Sequence, residues 1–203
     1  DISGAVYPLE LPLNALQTGP VHLNVQFEEP LIGNADTAWL DGLKVSPPRK
    51  FDRKKAGTLA SKSTRGLLVI GHDRGGLAVE EVAKFAEQLG WPILSEDPLT
   101  FPNANAHASL FLTSITIAKD LAPDTVVVIG RTTLSRSINS FIKMARKTIV
   151  IDPRIATVDT DRMAAQKFTQ LPVAQVPTPD AEYTDKWKKY STRAIKMVAE
   201  IST

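Results

Sequence analysis

The spacing of apolar residues changes period several times along the chain, and each change marks an element. Val21, Leu23, Val25 and Phe27 alternate with polar residues after Gly19-Pro20, which predicts a half-buried strand following a turn. Gly66-Leu67-Leu68-Val69-Ile70 is instead wholly apolar, the pattern of a parallel strand covered on both faces. Leu77, Val79, Val82, Phe85, Ala86 and Leu89 then recur at helical spacing until Gly90 ends the helix. Trp91-Pro92-Ile93-Leu94 reads as a second strand, and residues 107–121 as a moderately periodic helix. Val126-Val127-Val128-Ile129, closed by Gly130, reads as a third strand. Ile138, Phe141, Ile142 and Ala145 give the next helix its apolar face, and Thr148–Asp152, ended by Pro153, is the fourth strand. A weaker run from Phe168 to Ala174 adds one further strand. Asp180 reads as the N-cap of a closing helix whose stripe is Trp187, Tyr190, Ala194, Met197, Val198 and Ile201.

Four or five buried strands alternating with helices predict an α/β fold: a doubly wound, mostly parallel Rossmann-like sheet with an N-terminal extended arm. In such sheets ligands bind beyond the carboxyl ends of the strands. Function is therefore expected in the loops at 71–76, 95–103, 130–137 and 152–157. Three regions separate by texture: the arm at 1–33, a basic Pro-Pro-containing linker at 34–64, and the Rossmann-like domain at 65–203.

Composition narrows the chemistry. The 203 residues contain no cysteine, which excludes disulfides, thiolate nucleophiles and Cys-type zinc sites. His22, His72 and His107 are the only histidines and none forms an HxxxH pair, so no metal site is expected. The uncharged stretch from Pro98 to Ala118 is interrupted throughout by His, Asn, Ser, Thr and Pro and predicts no membrane span. No basic stretch followed by an apolar core opens the chain, so no secretory signal is expected and the setting is read as cytoplasmic.

The net charge of +2 conceals an asymmetry. Lys44 to Arg65 carries eight basic residues against Asp52, a net +7 on an otherwise acidic chain. Aromatic interleaving is absent there apart from Phe51, and Pro47-Pro48 keep the segment extended. A solvated linker is expected rather than a nucleic-acid arm.

Two loops carry candidate chemistry. Gly71-His72-Asp73-Arg74-Gly75-Gly76 follows a strand and opens a helix, the place for a dinucleotide pyrophosphate, with Glu96 near where a ribose-binding acid belongs. The spacing departs from G-x-G-x-x-G, and Asp73 would repel a phosphate, so a plain tight turn is the competing reading. Gly130-Arg131-Thr132-Thr133-Leu134-Ser135-Arg136-Ser137 brings hydroxyls and two guanidiniums to a strand end and helix start, a setting for a carboxylate or phosphate. The alternative is that Thr133 or Ser135 caps the helix and both arginines are solvated. Asp152 caps a turn or binds a ribose. His22 reads as a hydrogen-bonded strand residue, while His72 and His107 fall in loops at the ligand edge. Trp187 and Tyr190 fall on one helix face and Lys188 and Lys189 on the other, a core stripe and a solvent face.

Three segments carry a family resemblance. Gly19-Pro20-Val21-His22-Leu23-Asn24-Val25-Gln26-Phe27-Glu28-Glu29-Pro30-Leu31 resembles the GPVHLN-x-P-F-x-E-P-L stretch of thiamine diphosphate-dependent enzymes. Its Phe-x-Glu-Pro-Leu continuation is that of the 2-succinyl-5-enolpyruvyl-6-hydroxy-3-cyclohexene-1-carboxylate synthases. Gly90-Trp91-Pro92-Ile93-Leu94-Ser95-Glu96-Asp97-Pro98-Leu99 is similar to that family's G-W-P-V-L-A-D-P-L. Val128-Ile129-Gly130-Arg131-Thr132-Thr133-Leu134-Ser135-Arg136-Ser137 is similar to its G-R-P-T-L-x-R-P loop, with Thr132 and Ser137 where proline is common. The resemblance spans about residues 19–140.

The resemblance implies the central of three α/β domains, preceded by the last strand of a pyrimidine-binding domain (residues 1–33) and followed in the family by a diphosphate-binding domain. A glutamate for the aminopyrimidine lies in the family's first domain and a Gly-Asp-Gly magnesium motif in its third. Neither belongs to this region, so the chain alone is expected to hold no catalytic residue and neither thiamine diphosphate nor Mg2+. In the complete transferase of menaquinone biosynthesis, which the resemblance implies is a homo-oligomer, 2-oxoglutarate is decarboxylated and the resulting carbanion adds to isochorismate. The central domain's implied share is a basic residue for a substrate carboxylate: Arg136 by position, with Arg131 and Ser137 beside it. Two competing readings are a regulatory module holding a downstream aromatic carboxylate such as 1,4-dihydroxy-2-naphthoate on Arg74, Arg131 and Arg136, and a nicotinamide-nucleotide domain.

Overall fold

In the computed structural model, residues 22, 53–54, 57–154 and 164–201 are described. The chain separates by its contacts into two units, Asp1–Phe51 and Asp52–Thr203, and the fold reported is that of the second. The strand expected at 21–27 lies outside the described residues apart from His22.

Wholly apolar runs become the centre of one parallel sheet. In chain order the strands are β1 (Arg53–Lys54), β2 (Thr58–Ala60), β3 (Gly66–Ile70), β4 (Ile93–Ser95), β5 (Thr125–Ile129), β6 (Lys147–Ile151), β7 (Ala164–Phe168) and β8 (Val173–Gln175). The helices are α1 (Val79–Leu89), α2 (Ala108–Phe111), α3 (Ile115–Asp120), α4 (Arg136–Ile142) and α5 (Ala181–Ile201). Six strands form the main sheet in the order β1-β7-β6-β5-β3-β4, every pair parallel. β2 and β8 form a separate parallel pair.

Strand period explains the layers. Leu67, Val69, Val126, Val128 and Val150 point to one face, where they meet Phe141 of α4 and Tyr183 and Trp187 of α5. Leu68, Ile70, Val127, Ile129, Ile149 and Ile151 point to the other, against Val82, Phe85 and Leu89 of α1. Trp187 is fully buried, its ring edge-on to Phe111, Phe141 and Tyr183 at centroid distances of 5.9, 5.7 and 6.4 Å. Burial of the Tyr183 hydroxyl in this cluster raises its pKa, with Trp187 and Arg65 opposing the shift.

Several sequence expectations need correction. The helix expected over 107–121 is two, because Ser114 restarts it: its side chain accepts the amide of Ile117 and caps α3. The run from Phe168 to Ala174 resolves into β7 and β8 rather than one strand. The stretch expected as a linker contains β1 and β2, and Leu59 of β2 is fully buried beside α1. One buried leucine in a basic segment sets no period, so the sequence pattern could not expose it. In α5 the Asp180 carboxylate caps the helix as expected, accepting the amides of Glu182 at 2.9 Å and Tyr183 at 3.3 Å. The predicted stripe holds only through Ala194, for Met197 and Ile201 are 51% and 82% exposed. No described helix is long and apolar enough to cross a membrane.

Candidate functional site

The chain runs from β3 outward to β4, then crosses back to place β5 on the other side of β3. That reversal opens a crevice at the carboxyl ends of β3 and β5. Register makes its floor level: Ile70 pairs with Ile129, and Ile129 with Ile151. The loops after these strands therefore leave the sheet at one height.

Close backbone approach ties the loops together. Gly71 donates its amide to Ile129 O at 3.0 Å, and a Cβ built on Gly71 would lie 1.4 Å from Arg131 O. Gly130, at φ +73°, has room only for hydrogen, because a Cβ there would lie 2.0 Å from Asp73 O. Arg131 N donates to Asp73 O at 3.0 Å.

Side chains then pin the 130–135 loop. The Nδ1 of His72 hydrogen-bonds Thr132 O at 2.8 Å. Asn139 Nδ2 donates to Thr133 O at 2.8 Å, while the buried Thr133 hydroxyl donates to Asn139 Oδ1 at 3.1 Å. Leu134 N donates to Glu96 Oε1 at 3.1 Å. Ser135 caps α4 by accepting the amide of Ile138. Loop backbone held from this many directions presents its outward side chains in a prepared geometry.

The expected site residues are placed as follows. Arg136 is the first residue of α4 and exposed, and its side chain makes no ion pair or hydrogen bond among the described residues. Arg131 is half exposed, with Nε 3.9 Å from Asp73 Oδ2. The Ser137 hydroxyl donates to Ser109 O at 2.8 Å and stands 3.0 Å from Ser135 Oγ, tying α4 to α2. Arg74 leans the other way, 3.6 Å from Asp97 Oδ2 with its guanidinium 5.5 Å from the Phe101 ring centroid. Arg74 and Arg131 thus each face their own carboxylate, on opposite sides of the β3 loop. Glu96, considered for a ribose, spends one carboxylate oxygen on the Leu134 amide. His107 adopts φ 56° just ahead of α2.

An arginine not anticipated from the sequence completes the crevice wall. Arg154 forks onto Asp152, with Nε 3.1 Å from Oδ1 and Nη2 2.9 Å from Oδ2, and its Nη1 binds the Asp73 carboxylate. The Asp152 side chain is only 1% exposed. The Gly75 amide and then Arg154 hold the Asp73 carboxyl below its usual range, and the two carboxylates raise the Arg154 pKa. Hydrogen bonds from Thr100 and the charge of Arg74 likewise lower Asp97. The signal for this network was Asp-Pro-Arg at a strand end, too short a motif to name a partner 81 positions away. Among these four arginines, Arg136 alone lacks a carboxylate within the described residues.

A 2-succinyl-5-enolpyruvyl-6-hydroxy-3-cyclohexene-1-carboxylate synthase from Nocardioides sp. is 34% identical over 134 residues, covering 64% of this chain and 23% of the relative. Synthases of the same name from Geobacillus kaustophilus and Bacillus cytotoxicus are 33% and 24% identical, covering 72% and 90% of this chain. The chain spans 30% and 36% of those two relatives. Residues 39–202 match the family described as the middle domain of thiamine pyrophosphate, and the chain belongs to that family of thiamine pyrophosphate enzyme middle domains.

Proposed function

We propose that the chain serves as the central domain of a 2-succinyl-5-enolpyruvyl-6-hydroxy-3-cyclohexene-1-carboxylate synthase, a transferase of menaquinone biosynthesis. The named relatives support that reading, and the observation that carries the domain's role is the unpaired Arg136 on a loop pinned from several sides. Arg136 binds a carboxylate of isochorismate or 2-oxoglutarate. Arg131, loosely held by Asp73, adds a second charge at the same edge, and Ser137 sets the start of α4.

Thiamine diphosphate and Mg2+ are assigned, on the family resemblance, to pyrimidine-binding and diphosphate-binding domains acting with this one, and no chemical step is assigned to its residues. The assembly is proposed to be a cytoplasmic homo-oligomer. Within it this domain binds and orients substrate.

The test replaces the matching region of the Geobacillus kaustophilus synthase with this chain and measures product formation. An active chimera is expected, with Arg136→Ala raising KM for one of the two substrates by about 10- to 100-fold, the worth of a charged hydrogen bond. An inactive but folded chimera, or unchanged kinetics in the variant, would count against the reading.

A further inference from the structure

A second cavity lies away from the crevice, along the outer edge of the sheet. It measures about 380 Å3, within the range of roughly 300–1,000 Å3 typical of small-ligand pockets. Its apolar lining includes Trp91, Pro92, Ile93 and Phe101, from β4 and the segments flanking it. The helices bordering it bring opposite charges: Glu87 from α1 and Lys188 from α5. Both are exposed, and neither makes an ion pair among the described residues.

Asn105 also lines the cavity. Its amide nitrogen donates to Ile93 O at 3.1 Å and its backbone amide to the same oxygen at 2.7 Å, so the segment is fixed against the edge strand. That tie covers part of the open edge of β4, which otherwise has a pairing partner only in β3. The cavity is therefore a built feature with an apolar side, to which Trp91 and Phe101 present only an edge, one carboxylate and one ammonium.

We propose that this cavity binds a small zwitterion carrying an aromatic ring, an aromatic α-amino acid in chemical class. The ring packs on Pro92, Pro102 and the exposed edges of Trp91 and Phe101, which are otherwise buried in the core, the ligand ammonium meets Glu87, and the ligand carboxylate meets Lys188. A simple anion would leave Glu87 opposed, and a simple cation would leave Lys188 opposed, so the lining favours a ligand that carries both charges. The site shares neither Arg131 nor Arg136 with the crevice and stands or falls independently of the proposed function.

L-Phenylalanine is the probe, titrated into the 203-residue chain by calorimetry and by tryptophan emission, since Trp91 lines the cavity. Saturable binding is expected. 3-Phenylpropanoate, which lacks the ammonium, and phenethylamine, which lacks the carboxylate, should each bind about fivefold more weakly, the worth of one exposed ion pair. Glu87→Gln should erase the difference between L-phenylalanine and 3-phenylpropanoate, and Lys188→Gln the difference between L-phenylalanine and phenethylamine. Both residues are surface positions, so folding is not at stake. No saturable binding at millimolar L-phenylalanine, or binding indifferent to both substitutions, overturns the proposal.

Discussion

The carboxylate of Glu96, just beyond β4, accepts the backbone amide of Leu134 at 3.1 Å and so joins the loops that follow β4 and β5. The Leu134 side chain is 75% exposed, so packing does not hold this point of the loop. The hydrogen bond does. Glu96→Ala is expected to cost about 0.5–1.5 kcal/mol of local stability, since water can replace the lost acceptor at this exposed bond, read as faster hydrogen exchange at the Leu134 amide. Glu96→Gln keeps an acceptor oxygen and should retain most of the protection.

Arg154 holds two carboxylates, one of them almost wholly buried. Arg154→Met should leave Asp152 uncompensated at a cost of about 2–3 kcal/mol in urea unfolding, at or below the usual range for a broken buried pair because Arg154 is itself one-third exposed. Arg154→Lys should recover little, since an ammonium cannot fork onto both oxygens of Asp152.

Gly130 and Gly76 both have positive φ, yet they differ in surroundings. A methyl at Gly130 meets Asp73 O, whereas at Gly76 nothing lies within 4 Å. Gly130→Ala should therefore destabilise by more than about 2 kcal/mol, and Gly76→Ala by only the left-handed backbone cost of about 1–2 kcal/mol. Paired thermal unfolding curves would reveal equal losses if the close approach were unimportant.

The folded-state pKa values of Asp73 and Asp97 are both lowered. A lowered carboxyl pKa stabilises the fold at pH values above its unfolded value, and that stability is lost as pH falls through the folded value. Unfolding midpoints should consequently drop below about pH 4. Asp73→Asn should flatten that acid limb, and an unchanged slope would show that Asp73 contributes nothing to it.

Trp187 and Ile201 occupy the same predicted stripe of α5 but opposite environments. Trp187→Ala should cost about 3–5 kcal/mol, while Ile201→Ser should stay within about 0.5 kcal/mol. Chemical denaturation of both variants distinguishes a stripe that is core throughout from one that leaves the body after Ala194.

Legibility followed the length and purity of the signal. Val126–Ile129 and Leu67–Ile70 were readable because a strand buried on both faces tolerates only apolar residues. Gly90 and Asp180 were readable because helix ends have local chemical needs. Leu59 was not, since a three-residue strand in a basic segment carries no period. The crevice loops were legible as a place, and Arg136 and Arg131 as charges within it. Arg154 was missed because its partner Asp73 is remote in sequence.

By itself, then, the sequence determined the α/β alternation, the helix caps and the loops at the carboxyl ends of the strands, because these depend on neighbours within a few residues. Only the tertiary structure decided which charges are neutralised. Asp73 could have faced any of several arginines, and parallel register at Ile70, Ile129 and Ile151 brings it to Arg154 and Arg131 while leaving Arg136 open. Ion pairing depends on distance in space, and that distance is set by the sheet.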